Sequence, residues 1–235
     1  MTTLDGEPHG PLTALAENLW IVDGIIAMPP GPLPRRMTVA RLADGSLVIF
    51  SAIRLSEPEF GRLGQLGPPR YLVVPNGFHR HDAAAFKARY PQLRVVTPEA
   101  ARAMVEEVVP VDATTDVLAD PSVRFFTVPG TGERESALLV TSSGGVTLVL
   151  NDLVGNVGDA RGLMKLVLSL MGFAGRRPQV PRMFARRVVT DRPAVAAQFR
   201  EWAALPGLRR IIVSHGAMID GDARGELLRL ADSLG

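Results

Sequence analysis

Short apolar runs separated by turn residues recur along the chain and predict β-strands. Leu19–Val22, Met37–Leu42 and Ser46–Phe50 have this character, and Asp44-Gly45 between the last two is a strong signal for a hairpin turn. The pattern returns in the second half, where Ser143-Gly144-Gly145 marks another hairpin. The strands predicted there are Val123–Val128, Ala137–Thr141 and Val146–Leu150.

Helical segments alternate with further strands. Ser56-Glu57-Pro58-Glu59 is typical of a helix start, with Ser56 as the cap and Glu59 completing a capping box. The other predicted helices are Asp82–Tyr90, Thr97 to about Val108, Asp191 to about Leu205, and Asp222–Leu234, and the buried strands between them are Tyr71–Val74, Leu93–Val96 and Ile211–Val213. This order predicts an α/β (α+β) protein in which two mixed sheets pack together under outer helices, a four-layer αββα sandwich. We predict one domain over residues 1–235, with residues 1–15 as an irregular N-terminal arm.

The composition restricts the chemistry and the partners. The chain has 235 residues, 46% of them hydrophobic and 21% charged, which suits a folded domain. It has no cysteine, so disulfides, thiolate metal sites and thiol nucleophiles are excluded. A net charge of +2 predicts no nucleic-acid partner.

No targeting or membrane segment is expected. Residues 1–11 lack the apolar core of a signal peptide. The most apolar helical candidate, Gly162–Phe173, is shorter than the roughly 20 residues that span a bilayer. We therefore predict a cytoplasmic protein without a transmembrane segment.

Polar side chains follow several of the predicted buried strands. His79 and His81 follow Tyr71–Val74, Asp152 follows Val146–Leu150, and His215 follows Ile211–Val213. Ligand sites of α/β proteins form at this end of the strands, and His with Asp suits zinc, iron or manganese. The fourth histidine, His9, lies in the N-terminal arm and is expected to be solvated.

Five segments give the chain a resemblance to a known superfamily. They are Asn18–Gly24, Asp44–Phe50, Val73–Asp82, Thr147–Asp152 and Ile212–Gly216. In their order and spacing they resemble the metallo-β-lactamase superfamily, and within it a divergent metallo-hydrolase-like family of unknown function. The resemblance spans about Asn18 to Gly216. It implies that Asp152 and His215 occupy the places of the bridging Asp and the last His ligand.

The superfamily's H-x-H-x-D-H motif is not preserved. If Pro75 is aligned with the residue that precedes the motif, the first two His positions become Asn76 and Phe78, and the Asp becomes Arg80. Only His81 then occupies a ligand position, and His79 is one residue away from one. The loop Pro129–Glu135, where the superfamily has another His, contains none. There Glu133 or Glu135 is left to supply oxygen, and Glu135 is preferred because it directly precedes a strand.

Two hypotheses for function remain open at this point; a third, an RNA-processing nuclease of this superfamily, is disfavoured because such enzymes need an intact metal centre and the charge here is nearly balanced. In the first, the protein is a metal-dependent hydrolase with one zinc, iron or manganese ion held by His79 or His81, Asp152, His215 and Glu135. Such an ion would polarise a carbonyl or phosphoryl oxygen. In the second, the protein has lost the metal and binds an unknown, anionic small molecule through Asn76 and Arg80 without catalysing a reaction.

A basic segment without acidic residues follows the predicted site. It runs from Arg161 to Arg187 and carries an apolar stripe with helical spacing. We considered three interpretations: a core helix with a solvated arginine-rich loop, a lid over an acidic substrate or a homodimer contact, and a surface for membrane or nucleic acid. Residues 160–187 are therefore a candidate lid or helical insertion.

Overall fold

The computed structural model describes residues 8–28, 31–158, 166–167, 169–170, 172, 175 and 177–235.

The first β-sheet contains six strands. In this sheet β1 to β4 are antiparallel neighbours, while β4, β5 and β6 run parallel. The strands are β1 (Thr13–Ala16), β2 (Leu19–Met28), β3 (Gly31–Arg41), β4 (Leu47–Phe50), β5 (Pro69–Val73) and β6 (Arg94–Val96).

The second sheet has the order β10-β9-β8-β7. Strands β7, β8 and β9 are antiparallel neighbours, and β10 pairs with β9 in parallel. The strands are β7 (Val123–Thr127), β8 (Ser136–Ser142), β9 (Gly145–Asn156) and β10 (Leu208–Gly216). Both sheets are therefore mixed, as the sequence predicts.

Helices cover the outer face of each sheet. A core of apolar residues such as Phe60, Leu63 and Phe86 joins the first sheet to α1, α2 and α3, while Phe199 and Leu227 belong to a second core beneath α4, α5 and α6. The helices are α1 (Glu57–Leu66), α2 (Ala83–Arg89), α3 (Arg102–Glu106, after a 3₁₀ turn at Glu99–Ala101), α4 (Arg182–Val188), α5 (Arg192–Ala203) and α6 (Ala223–Asp232). A third core lies between the sheets, and the predicted four-layer αββα sandwich is confirmed.

Local contacts at the helix starts differ from the expectation. The Ser56 side chain makes no capping hydrogen bond to α1. Glu59 instead accepts a hydrogen bond from the backbone N–H of Leu12 at 2.8 Å and pairs with Arg62, so the predicted capping box is wrong. The predicted helix from Asp191 is confirmed as α5, and the Asp191 carboxylate caps it by accepting a hydrogen bond from the N–H of Ala194.

The N-terminal segment is tied to the first sheet. Strand β1 begins at Thr13, within the stretch predicted to be an irregular arm. His9 is half-buried, and its Nε2 accepts a hydrogen bond from the Ser56 backbone N–H at 2.8 Å. The expectation of a solvated His9 is therefore wrong, because the ring satisfies a donor at the start of α1.

The basic segment can be traced only in part. Within the predicted lid or insertion at residues 160–187, positions 160–165, 168, 171, 173, 174 and 176 lie outside the described residues, including Leu163 and Met171 of the apolar stripe. Of that stripe, Leu166 and Leu170 are described and are exposed. Its described end contains Gln179, which pairs with Gly155 of β9, and the start of α4. Within the described ranges, no helix is long and apolar enough to cross a membrane.

Candidate metal centre

A bulge in β9 places Asp152 at the edge where the two sheets meet. Val213 of β10 pairs with Leu150, but His215, two residues later, pairs with Gly155. Residues 151–154 of β9 therefore bulge out of the ladder. Bulges of this kind redirect side chains and are common beside active sites. Here the bulge brings Asp152 against His215 at the end of the neighbouring strand.

Three side chains converge at this point. The Oδ1 atom of Asp152 lies 3.0 Å from Nε2 of His215 and 3.2 Å from Nε2 of His79. The two Nε2 atoms are 3.3 Å apart. Asp152 and His215 are buried and His79 is nearly so. The loop after β5, the bulge of β9 and the end of β10 thus supply one compact group of potential metal ligands.

The outer nitrogen of each imidazole is held by a second contact. The Nδ1 atom of His215 lies 2.6 Å from the Pro34 carbonyl oxygen, and since a carbonyl only accepts, Nδ1 carries the proton. In the neutral ring, Nε2 is then left with its lone pair towards Asp152. Metal-bound histidines are commonly fixed in this way.

Ser51 plays the corresponding role for His79. Its Oγ lies 2.8 Å from Nδ1 of His79, and the hydroxyl can donate or accept. Ser51 follows β4 and has a φ of 57°, which is uncommon for a residue other than glycine. Strained backbone of this kind persists where the surrounding structure holds it, often beside functional groups.

Asn76 connects the cluster to a second buried carboxyl group. Its Nδ2 donates to Oδ2 of Asp152 and to Oε2 of Glu135, both at 2.8 Å. Its Oδ1 accepts from the backbone N–H groups of Phe78 and His79. Asn76 therefore separates the two carboxyl groups and shapes the loop that carries His79.

The charges of the cluster depend on one another. Burial alone would raise the pKa of Asp152, but His79 and His215 hold it well below its usual range. Burial alone would lower the pKa of His215, but the Asp152 carboxylate and the Pro34 carbonyl raise it. The contacts therefore favour an ionised carboxylate beside a histidine that readily takes a positive charge.

Glu135 shows the opposite behaviour. Its burial, and then the negative charge of Asp152, raise its pKa well above the ordinary value. The Asn76 amide lowers this pKa and offsets the rise only in part. Glu135 is thus a carboxyl group that favours its neutral form behind the cluster.

Replacing Glu135 with glutamine is expected to change how stability depends on pH. The raised pKa means that native Glu135 keeps its proton while the unfolded chain loses it above about pH 4.5. Wild-type stability should therefore fall as pH rises from there, by about 1.4 kcal/mol for each pH unit over which the native proton is retained. In chelator-treated protein, the Glu135→Gln variant should lack this decline between about pH 4.5 and 6.5, below the range in which the raised pKa of His215 adds its own decline, as measured by urea unfolding at several pH values.

The exposed Glu107 provides the control for this measurement. The Glu107→Gln variant removes a carboxylate that pairs with Arg80 at the surface, so its stability should follow the wild-type pH curve. If the Glu135→Gln and wild-type curves ran parallel above pH 4.5, the neutral state of Glu135 would be contradicted.

The predicted site residues divide into two groups. His79, Asp152 and His215 converge, and Asn76 and Glu135 lie directly behind them. The other predicted site residues lie outside the cluster. His81 is exposed and does not belong to the cluster, Arg80 pairs with Glu107 of the loop after α3 at 2.6 Å, and Glu133 is exposed.

Two contacts of the cluster are absent from the sequence-based prediction. Ser51 directly follows β4 and Pro34 lies in β3, far from His79 and His215 along the chain. The only local signal for Ser51 is that a serine directly follows a buried strand. The Pro34 carbonyl gives no signal in the sequence, because every residue has a backbone carbonyl.

The fold agrees with that of solved metallo-β-lactamases. The mono-zinc form of FIM-1 from Pseudomonas aeruginosa superimposes with a TM-score of 0.63 over 95% of this chain and 96% of that one, at 12% sequence identity. The chain has the metallo-β-lactamase fold. An Erythrobacter litoralis metallo-β-lactamase with β-mercaptoethanol in its active site matches with a TM-score of 0.61, 17% identity and coverage of 94% and 96%.

A third solved structure is matched over its whole length. The metallo-β-lactamase DIM-1 exposed to ceftazidime gives a TM-score of 0.62 at 13% identity, covering 98% of this chain and 100% of that one. No family model matches the sequence, and no curated protein matches it either. At these identities the likeness establishes the metallo-β-lactamase fold, and the function has to be argued from the site.

Proposed function

We propose that this protein of the metallo-β-lactamase superfamily is a metal-dependent hydrolase with a reduced, mononuclear site. His79, Asp152 and His215 would hold one zinc, iron or manganese ion. The observation that carries the proposal is the convergence of Nε2 of His79, Nε2 of His215 and Oδ1 of Asp152. Catalytic zinc sites use three protein ligands, and two His with one carboxylate is also a common iron site.

The spacing of the three atoms supports a bound ion. Tetrahedral bonds of roughly 2.0–2.1 Å place neighbouring ligand atoms about 3.3 to 3.4 Å apart. The three separations here are 3.0, 3.2 and 3.3 Å, so small movements of these side chains would bring the three atoms to tetrahedral spacing. Lone pairs that face one another so closely repel unless a cation or a proton lies between them.

Each residue of this chain has a separate role in the proposal. Asp152 contributes the negative charge, and the two imidazoles complete the ligand set while Ser51 and Pro34 hold their outer nitrogens. Asn76 orients the Asp152 carboxylate and keeps Glu135 away from the ion. A bound divalent ion supplies Lewis-acid polarisation of a carbonyl or phosphoryl oxygen.

A second candidate function is metal-free ligand binding. The raised pKa of His215 beside Asp152 favours an ion pair that closes the site without a metal. In that case the protein has kept the fold as a binding scaffold. Arg80 does not supply the positive charge that a metal ion would otherwise bring to the site, because Glu107 pairs with it at the surface.

Metal analysis separates the two candidates. Protein purified without added metal should contain about one equivalent of zinc, iron or manganese, and chelator-treated protein should rebind one equivalent of zinc. Binding should raise the melting temperature, because the ion stabilises only the folded state. Failure to bind zinc, iron or manganese on titration would overturn the hydrolase proposal and leave the metal-free alternative.

A further inference from the structure

A groove lined by arginine lies on the outer side of the second sheet. It has a volume of about 620 Å³ and is formed by α4, the start of α5, the end of α6 and the segment around Gln179. Arg182, Arg186, Arg192 and Arg229 line it, and the other lining residues in the described part of the chain are uncharged. The groove therefore concentrates positive charge in a chain whose net charge is only +2.

Three of these arginines have no ionic partner in the described part of the chain. Arg182 and Arg186 are exposed and stand one helical turn apart on α4, and exposed Arg192 opens α5. Within the described residues, none of the three takes part in an ion pair. Like charges held together in this way repel, and an anion in the groove would relieve that repulsion.

The fourth arginine is fixed in place. Arg229 donates through Nε to Glu226 at 2.7 Å and also to the carbonyl oxygen of Pro178. These contacts hold it at the groove wall and neutralise part of its charge. The three remaining guanidinium groups keep their hydrogen-bond donors available, and each can bind two oxygens of one phosphate.

We propose that the groove binds a small molecule carrying two or more phosphate groups. The volume lies within the range of small-molecule pockets. Among the described residues that line the groove there is no acid, which favours a polyanion. A polymer such as RNA is disfavoured, because the arginines form a concave cluster rather than a long basic stripe. The proposal does not rest on the metal centre, from which no residue lines the groove.

Calorimetric titration with inorganic tripolyphosphate tests this site. Chelator-treated protein should be used, so that metal binding by the probe adds no heat. Wild-type protein should bind tripolyphosphate saturably, and the Arg182→Gln/Arg186→Gln variant should bind it more than about tenfold more weakly, because each charge-assisted contact contributes substantially. The matched control is Arg200→Gln/Arg209→Gln, which removes the same charge from exposed positions outside the groove.

Three outcomes would overturn the proposal. The first is no saturable binding of tripolyphosphate by the wild type in the millimolar range. The second is equal weakening in both double variants, which would indicate a diffuse charge effect. The third is tighter binding of a single-stranded RNA oligomer than of tripolyphosphate, with a steep dependence on salt, which would assign the groove to nucleic acid.

Discussion

Replacing His79 with alanine is expected to abolish tight metal binding while the protein stays folded. The substitution removes one of three ligand atoms, and Nε2 of His215 and Oδ1 of Asp152 remain. Loss of a partner in the outer shell typically costs roughly 10- to 100-fold in metal affinity, so loss of a ligand should cost more. Zinc titration of chelator-treated protein against a competing indicator measures the change, and circular dichroism verifies the fold.

His81 is the matched control for this experiment. It lies two residues away in the same loop, it is the same residue type, and it is exposed outside the cluster. His81→Ala should therefore leave zinc affinity unchanged. A result in which His81→Ala loses the metal and His79→Ala keeps it would show that the ligand set assigned here is wrong.

Converting Asn76 to aspartate should strongly destabilise the metal-free protein. Asn76 now donates to the buried carboxyl groups of Asp152 and Glu135. An aspartate would remove both donors and add a third carboxyl group between them. Uncompensated buried charge of this kind costs about 3–5 kcal/mol, which urea unfolding at neutral pH would detect as a large drop in the midpoint.

Asn18 provides the comparison at the surface. Its Nδ2 donates to the Thr141 carbonyl and its Oδ1 accepts from Ser142, so Asn18→Asp makes the same chemical change where water can solvate the charge. We expect a loss of no more than about 1 kcal/mol there. Equal losses for the two variants would contradict the bridging role of Asn76.

The position of the site could be predicted better than its ligands. The sequence predicts that Asp152 and His215 follow two buried strands, and in the structure they lie within β9 and β10, near the ends of these longer strands. Because strand periodicity is a local property, it indicates this edge of the sheet for both residues. Whether His79 or His81 joins the cluster depends on the shape of the loop, which the local sequence pattern does not show. The carboxamide of Asn76 accepts from the N–H groups of Phe78 and His79 and shapes the turn, which leaves His79 inside and His81 outside.

Glu135 illustrates the same limit for the carboxyl groups. Its position before a strand suggested an oxygen ligand, and the structure places it behind Asn76, with Asn76 between it and Asp152. Its elevated pKa arises from burial and from the charge of Asp152, a residue distant in sequence. No pattern around Glu135 could have indicated either effect.

The sequence by itself determined the layered αββα architecture and excluded thiolate chemistry, because strand periodicity, turn residues and the absence of cysteine are properties of neighbouring positions or of composition. Only the tertiary structure decided which imidazoles meet Asp152 and which groups hold their outer nitrogens. Those contacts join β3, β4, β9 and β10 across the two sheets. Their geometry depends on the packing of distant segments and on the bulge at residues 151–154, which no local pattern specifies.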